Sequence, residues 1–184
     1  MGRQNQRLSQ MVADLLILCR MDSGMEKFPR TQEPIFLNDL VNDIAEEFGF
    51  LAVATKVKLV SEIRVSQSVK VIGNMEQLYR LVSNLVVNAI NYTPPEGEVK
   101  IILEVHLNSA LIHVKDTGIG IPETEQKRIF DRFYRVNSDR SRQTGGSGLG
   151  LSIALAIAQL HQGNITVESV PNQGSTFTLK LPFF

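Results

Sequence analysis

Hydrophobic positions recur every three or four residues in four parts of the chain, which is the pattern of helices with one buried face. The predicted helices cover residues 1–25, 37–53, 74–92 and 149–162. The stripe of the first helix is close to a heptad repeat, so it either pairs with another helix or packs as an ordinary amphipathic helix on the following domain. Asn74 is placed to cap the third helix, which Pro94 and Pro95 end.

Apolar and polar side chains alternate in six further segments, as expected for half-buried strands. These segments are residues 57–63, 69–72, 98–106, 110–116, 165–170 and 175–181, and the second is interpreted as a continuation of the first. A polar, glycine-rich stretch, residues 117–147, contains one short predicted helix near 123–133. Helices clustered against a mixed, mostly antiparallel sheet indicate an α/β two-layer sandwich, preceded by one amphipathic helix.

The composition narrows the class of protein. Of the 184 residues, 43% are hydrophobic, so the chain can build a core and is not a disordered segment. The 19 basic and 19 acidic side chains cancel, which argues against binding to nucleic acid or to a membrane surface. The longest apolar stretch, residues 149–160, falls short of the roughly 20 residues that a membrane span needs. Cys19 has no partner for a disulfide and no leader peptide is expected, so we predict a cytoplasmic location.

Two glycine motifs lie next to predicted strands and helices. Residues 116–121 read Asp-Thr-Gly-Ile-Gly-Ile where a strand runs into a loop, and residues 145–150 read Gly-Gly-Ser-Gly-Leu-Gly where a loop enters a helix. Neither fits the P-loop or the dinucleotide fingerprint. Glycines before a helix let backbone N–H groups approach phosphate, and a carboxylate at a strand end can accept from an exocyclic amine. Each motif alone is also compatible with a simple turn or helix cap.

Two asparagines on the helix over residues 74–92 strengthen the case for a nucleotide site. Asn84 and Asn88 share a helix face one turn apart and adjoin its apolar stripe, so they are expected to be partly buried. Asparagine is a mediocre helix former, and its amide oxygen suits Mg²⁺ that already carries phosphate oxygens. The alternative is that both amides are buried and bond to backbone groups.

Together with residues 129–135, Ile-Phe-Asp-Arg-Phe-Tyr-Arg, these motifs resemble the asparagine, first glycine, phenylalanine and second glycine boxes of sensor histidine kinases in order and spacing. The closing Gly174-Ser175-Thr176 is also similar to that family, and the resemblance covers residues 35–184. It implies the Bergerat ATP-binding fold, ATP and Mg²⁺ as cofactors, and phosphoryl transfer to a histidine. Relay to the receiver domain of a response regulator is implied as well.

The resemblance also implies roles for individual residues. Asn88 would ligate Mg²⁺ and Arg135 would reach the terminal phosphates, which makes these two the catalytic candidates. Asp116 would bind the adenine amino group, with Gly118 and Gly120 allowing the base to approach. The other implied nucleotide contacts are Asn84, Asn91, Tyr92, Ile121, Gly146, Gly148, Leu149, Gly150 and Thr176, the last near the adenine end. Phe130 and Phe133 are expected to anchor the lid by packing rather than to touch ATP.

The chain departs from the family pattern in two places. Position 91 is asparagine where the family often has lysine or arginine, so one phosphate contact is in doubt, and Arg135, Arg140 or Arg142 could compensate. The phosphoacceptor histidine has no counterpart either, because His106, His113 and His161 fall in predicted strands or near a helix end. The chain is therefore expected to be a fragment that lacks the first hairpin helix.

The predicted organisation follows from that expectation. Residues 1–27 resemble the second helix of the dimerisation and phosphoacceptor hairpin, residues 28–35 form a linker, and residues 36–184 form the catalytic ATP-binding domain. The full-length kinase would be a homodimer through this hairpin, with the fragment itself open to being a monomer. A membrane anchor elsewhere in the full-length protein is compatible with these features, although this segment is expected to contact neither membrane nor nucleic acid.

Other proteins with the same ATP fold give the rival interpretations. Type II topoisomerases, heat-shock chaperones of ninety kilodaltons and mismatch-repair ATPases place a glutamate one turn before the magnesium asparagine, as a base for water. Here that position is Asn84, which cannot abstract a proton. Anti-sigma serine kinases lack the heptad helix and the phenylalanine box. A pseudokinase, which would sense nucleotide or only dimerise, is a further alternative, and a measurement of Mg-ATP binding would distinguish it.

Overall fold

The computed structural model describes residues 32–136 and 147–183, together with Val12, Leu15, Leu16 and Cys19, which are helical and exposed. The predictions made for the rest of residues 1–31, and for Gly146, Arg140 and Arg142, lie outside the described residues. Within the part that is described, no helix has the length and apolar character of a membrane span.

From residue 33 onward, the described residues form seven strands and four α-helices. They are β1 (Glu33–Phe36), α1 (Leu37–Ala54), β2 (Lys58–Ile63), β3 (Lys70–Gly73), α2 (Met75–Tyr92), β4 (Glu98–His106), β5 (Ser109–Asp116), α3 (Glu123–Gln126), α4 (Gly150–Leu160), β6 (Asn164–Val170) and β7 (Gly174–Pro182). A 3₁₀ turn at Arg128–Phe130 follows α3. The long helices and the paired strands lie within about two residues of their predicted bounds, whereas the predicted helix near 123–133 is divided into α3 and this turn.

The main sheet has five strands in the order β2-β4-β5-β7-β6. β2 is parallel to β4, and the other neighbours are antiparallel, which confirms the predicted mixed, mostly antiparallel sheet. One face is covered by helices: Val114 and Phe177 are buried on it with Leu81 and Leu85 of α2. The next residue along β5, Lys115, is exposed on the opposite face. The molecule is thus the two-layer sandwich that the pattern indicated.

The structure corrects the prediction for β3. Residues 69–72 do not continue β2; β3 pairs instead with β1 in a separate antiparallel two-stranded sheet, in which Val71 faces Ile35. Both side chains are buried, because this small sheet covers the core beside α1. β1 also falls largely inside the segment predicted to be a linker. Four-residue strands contain too few alternations for their partner to be read from the sequence.

The start of α2 is joined to the end of α4 through His161. The Asn74 side chain caps α2 by accepting from the N–H of Gln77, as predicted. The Asn74 N–H donates to Nε2 of His161, whose Nδ1 lies 2.8 Å from the carbonyl oxygen of Ile157. These partners require a neutral ring protonated on Nδ1. Burial lowers the pKa of His161, and the bond to Ile157 only partly opposes that shift.

Candidate functional site

Asp116 is a buried carboxylate at the end of a central strand. Its side chain is 5% exposed, and β5 pairs with β4 on one side and with β7 on the other. Oδ1 accepts from the N–H of Gly118 at 2.7 Å and from the N–H of Ser175 at 3.2 Å. Burial raises the pKa of this carboxyl above its usual range, while the two N–H groups pull it down in part. Neither bond uses Oδ2, which leaves that oxygen as an acceptor for a ligand.

The loop after Asp116, residues 117–121, is fastened to the end of α2. The N–H of Ile119 donates to the carbonyl oxygen of Tyr92. A Cβ atom on Gly118 would lie 2.5 Å from that same oxygen, so no larger residue fits. Gly120 has a φ of +67°, and a Cβ there would lie 2.1 Å from the carbonyl oxygen of Val170. Both glycines are thus required by the close approach of the chain's own backbone, a reason that sequence analysis did not anticipate.

Residue 175, rather than 176, lies beside Asp116. Ser175 is the register partner of Asp116, whereas Thr176 is opposite Lys115 and on the outer face of the sheet. The side chain of Thr176 is therefore on the opposite face of the sheet from Asp116, and the expected place of Thr176 near the adenine end stays a prediction. Strand alternation could have found Ser175, since it shares a face with the buried Phe177.

Two further side chains that sequence analysis missed lie around this loop. Ser169 and Ser175 are register partners in β6 and β7, with their hydroxyl oxygens 2.9 Å apart. The N–H of Ile121 donates to Oγ of Ser169, and the Gln126 side chain donates to the carbonyl oxygens of Ile121 and Ser169. No local sequence pattern marks Ser169 or Gln126, because their partners come from distant parts of the chain.

The two asparagines of α2 differ in their surroundings. Nδ2 of Asn84 donates to the carbonyl oxygen of Gly150 at 3.1 Å, so this residue fits the alternative interpretation of an amide bonded to backbone. Asn88, one turn later, is half-buried and makes no side-chain hydrogen bond to another described residue. Asn91 and Tyr92 are exposed at the end of the helix.

The second glycine motif leads into α4. Gly148 has a φ of +73°, and its carbonyl oxygen accepts from the N–H of Phe133. Leu149 is fully buried in the core and donates its N–H to Oγ of Ser147, so its side chain does not face a ligand. Gly150 is the first residue of α4. Its added Cβ would make only an ordinary contact with Asn84, so the glycine is not required there by space.

In the phenylalanine box, Phe130 packs as predicted and Phe133 does not. Phe130 makes an edge-to-face contact with Phe177, with ring centroids 6.4 Å apart. Arg128 lies over the ring of Tyr134. Phe133 is 57% exposed and has a φ of +62°, so the expectation that it anchors the lid by side-chain packing is wrong. Arg135 is half-buried.

These elements meet at one end of the sandwich. The Asn84–Gly150 bond joins α2 to the start of α4, and the Tyr92–Ile119 bond joins α2 to the loop after Asp116. The assembled groups are a buried carboxylate whose Oδ2 is not used by either backbone bond, the Asn88 amide, which bonds to no other side chain or backbone group that the structure describes, and the glycine-rich entry to a helix. Among the described residues, no group of three or more His, Cys, Asp or Glu side chains could hold a metal ion. The chemistry of the Asn88 amide oxygen, a neutral hard donor, is compatible with Mg²⁺ that also carries phosphate oxygens and water.

His106, His113 and His161 lie outside the group of residues around Asp116 and Asn88. His113 is on the outer face of the sheet, with Nδ1 2.9 Å from Oγ1 of Thr178 and Nε2 3.1 Å from Oε1 of Glu104. His106 is exposed at the end of β4, and His161 is at the end of α4.

Comparison with known protein families shows to which family this chain belongs. Residues 73–184 match the sequence profile of the family described as histidine kinase-, DNA gyrase B- and HSP90-like ATPases. The chain belongs to this family. The match spans α2, both glycine motifs and the closing hairpin, which are the elements that build the site.

Within the family, the curated proteins similar to this chain include sensor histidine kinases. The chain is 52% identical over 182 residues to sensor histidine kinase RppB of Synechocystis sp., a match that covers 99% of this chain and 39% of RppB. It is 35% identical over 184 residues to sensor histidine kinase WalK of Bacillus subtilis, covering 98% of this chain and 29% of WalK. The chain thus spans less than half the length of these relatives, and the sequence-based resemblance to sensor histidine kinases is confirmed.

Solved structures of histidine kinases are also similar to this chain. The catalytic domain of histidine kinase ThkA superposes with a TM-score of 0.73 at 27% identity, covering 83% of this chain and 96% of ThkA. Full-length ShkA in complex with AMPPNP superposes with a TM-score of 0.84 over 98% of this chain and 37% of ShkA, at 23% identity, which shows a shared fold. These matches confirm the predicted fold class.

Proposed function

We propose that this chain is the catalytic part of a sensor histidine kinase, which transfers the γ-phosphoryl group of Mg-ATP to a histidine outside the chain. The observation that carries the proposal is the buried Asp116, whose Oδ1 is held by two N–H groups while Oδ2 is left to a ligand. The sensor kinase relatives and the AMPPNP complex of ShkA support it.

Asp116 would select adenine. Its ionised carboxylate can only accept hydrogen bonds, and the exocyclic amine of adenine donates. Guanine would present a carbonyl oxygen at that edge, so acceptor would face acceptor. We therefore assign Asp116 to recognition of the base, with Gly118 and Gly120 shaping the loop and Ile121 at its far end.

The phosphates would lie between α2 and the entry to α4. Asn88 offers an amide oxygen for Mg²⁺, which when bound neutralises phosphate charge. Gly148 and Gly150 would contribute backbone groups at the helix entry, and Arg135 would add positive charge from the lid. Asn91 and Tyr92 are exposed beside the same helix end, so they are assigned to the rim of the site.

The site favours transfer over hydrolysis. Asn84, one turn before Asn88, is an amide that bonds to Gly150 and cannot act as a base for water. In the proposed reaction a lone pair on the imidazole nitrogen of the acceptor attacks the γ-phosphorus. The bond from that phosphorus to the bridging oxygen breaks, ADP leaves with the bond's electron pair, and the imidazole loses its N–H proton to solvent water. The chain contributes positioning and charge stabilisation.

The partners follow from this role. The acceptor histidine would be supplied by a helical hairpin of which residues 1–27 form the second helix, and this hairpin would make the full-length protein a homodimer. A response regulator receiver domain would take the phosphoryl group onward, as expected for two-component signalling.

Calorimetric titration of the chain with Mg-ATP and Mg-GTP tests nucleotide selection, and incubation with γ-labelled ATP tests transfer. We expect ATP to bind and GTP to bind at least about tenfold more weakly, a difference of about 1.4 kcal/mol. We expect no stable label on the chain alone, and label on a separately added hairpin that carries the histidine, weakly because the tether is missing. Nucleotide binding without any transfer to such a hairpin would favour the pseudokinase. Label on the chain alone that disappears when His106, His113 or His161 is replaced would contradict the assignment.

A further inference from the structure

Gln126, the last residue of α3, lies outside every motif, and its side chain bonds to the backbone of Ile121 at the end of the loop that follows Asp116. We infer that Gln126 and Ser169 are positioning residues that hold the loop 117–121 on the β6–β7 hairpin, and so keep Asp116 and Ser175 aligned for the base. This inference rests on the proposed function, because it concerns how the adenine end of that site is built.

The Gln126 side chain bridges two parts of the chain with one amide group. It donates to the carbonyl oxygen of Ile121 at 3.0 Å and to the carbonyl oxygen of Ser169 at 2.9 Å. Both partners are acceptors, so the NH₂ end of the amide must face them and the reverse orientation is excluded. Both hydrogens of this group are therefore used, one on the loop and one on β6.

Ser169 makes a second link between the same two parts. Its Oγ accepts from the N–H of Ile121 at 2.8 Å and lies 2.9 Å from the carbonyl oxygen of Gly174 and from Oγ of Ser175. A hydroxyl has one proton, and the Gly174 carbonyl can only accept, so that proton goes to Gly174. The Ser175 hydroxyl then donates to Ser169, and all three contacts of Oγ are satisfied.

The two links lead to Asp116 through backbone groups. Ser175, whose hydroxyl is held by Ser169, donates its N–H to Oδ1 of Asp116. Ile121, held by both Gln126 and Ser169, ends the loop whose Gly118 donates to the same oxygen. Because the carboxylate is oriented by these two N–H groups, a loop that moves away from the hairpin would turn Oδ2 away from the base.

Substitutions at position 126 distinguish a positioning role, which requires the two hydrogen bonds, from simple packing, which requires only the size of the side chain. Gln126→Lys keeps a donor that can reach two carbonyl oxygens, whereas Gln126→Met keeps the size and removes both bonds. Gln126→Glu places an acceptor against two acceptors. We expect affinity for ATP to be nearly unchanged in Gln126→Lys, about three- to tenfold weaker in Gln126→Met and weaker still in Gln126→Glu. Lys127→Met, at the neighbouring exposed position, is the matched control and should leave affinity unchanged.

A double-mutant cycle with Asp116→Asn shows whether Gln126 acts through Asp116. ATP affinity is measured by calorimetry on the whole chain, with folding checked by circular dichroism. We expect Gln126→Met to weaken ATP in the wild-type background and to have less than a twofold effect once Asp116 is replaced. Equal effects in both backgrounds, or unchanged ATP affinity in folded Gln126→Met, would overturn the inference.

The remaining outcomes are also informative. If Gln126→Met does not fold, the folded Lys and Glu variants carry the test, and equal ATP affinity in those two would overturn the inference. If the wild-type chain itself fails to bind Mg-ATP, the proposed function fails instead, so the two failures are distinguishable. Ser169→Ala, which removes the hydroxyl alone, should likewise lose its effect on ATP affinity in the Asp116→Asn background.

Discussion

The main-chain N–H of Ser175 donates to Oδ1 of Asp116 over 3.2 Å, and the two residues are register partners on β7 and β5. The N–H of Gly118 reaches the same oxygen from the other side, at 2.7 Å. Oδ1 of Asp116 thus completes the protein's own structure, while Oδ2 is the oxygen that we propose accepts from the ligand. A substitution that removes only the charge of Asp116 therefore tests a different property from one that removes its whole side chain.

Asp116→Asn should weaken ATP binding by about ten- to hundredfold, the range for losing a hydrogen bond to a charged group. The amide can keep an oxygen toward Gly118 and Ser175, but its NH₂ then faces the donor of the base. Affinity is measured by calorimetry. Glu123→Gln, the same change at an exposed position of α3, serves as the control. ATP affinity that is equal in Asp116→Asn and wild type would remove Asp116 from base recognition.

Asn88→Ala should reduce the affinity that ATP gains from Mg²⁺ by about tenfold or more, since loss of even outer-shell partners of metal ligands has effects of that size. Nucleotide is titrated with and without the metal. Asn84→Ala is the matched comparison, because it removes the bond to Gly150 and should lower thermal stability instead. A magnesium effect that survives in Asn88→Ala would show that another group is the ligand.

Asn91→Lys should strengthen binding of ATP more than binding of adenosine, because a lysine at this exposed end of α2 adds positive charge near the proposed phosphate site. The ratio of the two affinities is the measurement. An equal change for both ligands would mean that position 91 does not face the phosphates.

Gly120→Ala and Gly150→Ala should behave in opposite ways. Gly120 has a φ of +67° and a Cβ there would lie 2.1 Å from the carbonyl oxygen of Val170, so we expect a loss of at least about 2 kcal/mol of unfolding free energy. Gly150 is the first residue of α4 with room for a Cβ, so we expect no loss, or a gain of up to about 1 kcal/mol. Urea unfolding without nucleotide measures both. Equal losses would contradict the interpretation of these two glycines.

His161 should make the folded chain less stable in acid. Burial lowers its pKa in the folded chain, so the unfolded chain binds the proton first as the pH falls. The part of the unfolding free energy that depends on a neutral His161 is therefore fully present above the unfolded pKa of about 6.5. It is lost as the pH falls toward the pKa of His161 in the folded chain. Unfolding free energy measured from about pH 8 to pH 5 should fall more steeply for the wild type than for His161→Asn.

The long helices and the central strands could be predicted because their hydrophobic periodicity is strong and their ends are marked. The asparagine cap and the prolines place both ends of α2 within a residue, and its buried stripe is continuous. β1 and β3 have neither advantage: each has four residues, and the partner of each lies more than thirty positions away. Nothing local distinguishes such a pair from a linker.

Candidate site residues could be named from the sequence where a local motif marks them, and could not be named where the choice depends on strand register. Asp116 and Asn88 are marked by their own motifs, whereas the choice between Ser175 and Thr176 requires knowing which residue faces β5. An error of one position along a strand moves a side chain to the other face. Phe133 shows a different limit, since an aromatic motif does not reveal that its backbone adopts a φ of +62° and leaves the ring exposed.

The position of β7 also bears on when the protein can first bind its ligand during synthesis. Although β7 follows β4, β5 and β6 in the chain, it lies between β5 and β6 in the sheet. Until residues 174–182 have left the ribosome, β5 has one unpaired edge and Asp116 lacks the N–H group of Ser175. A nascent chain that already contains the asparagines and both glycine motifs therefore still lacks one of the two N–H groups that orient Asp116 in the proposed nucleotide site. Premature termination before β7 would therefore yield a product in which the adenine end of the proposed site is incomplete.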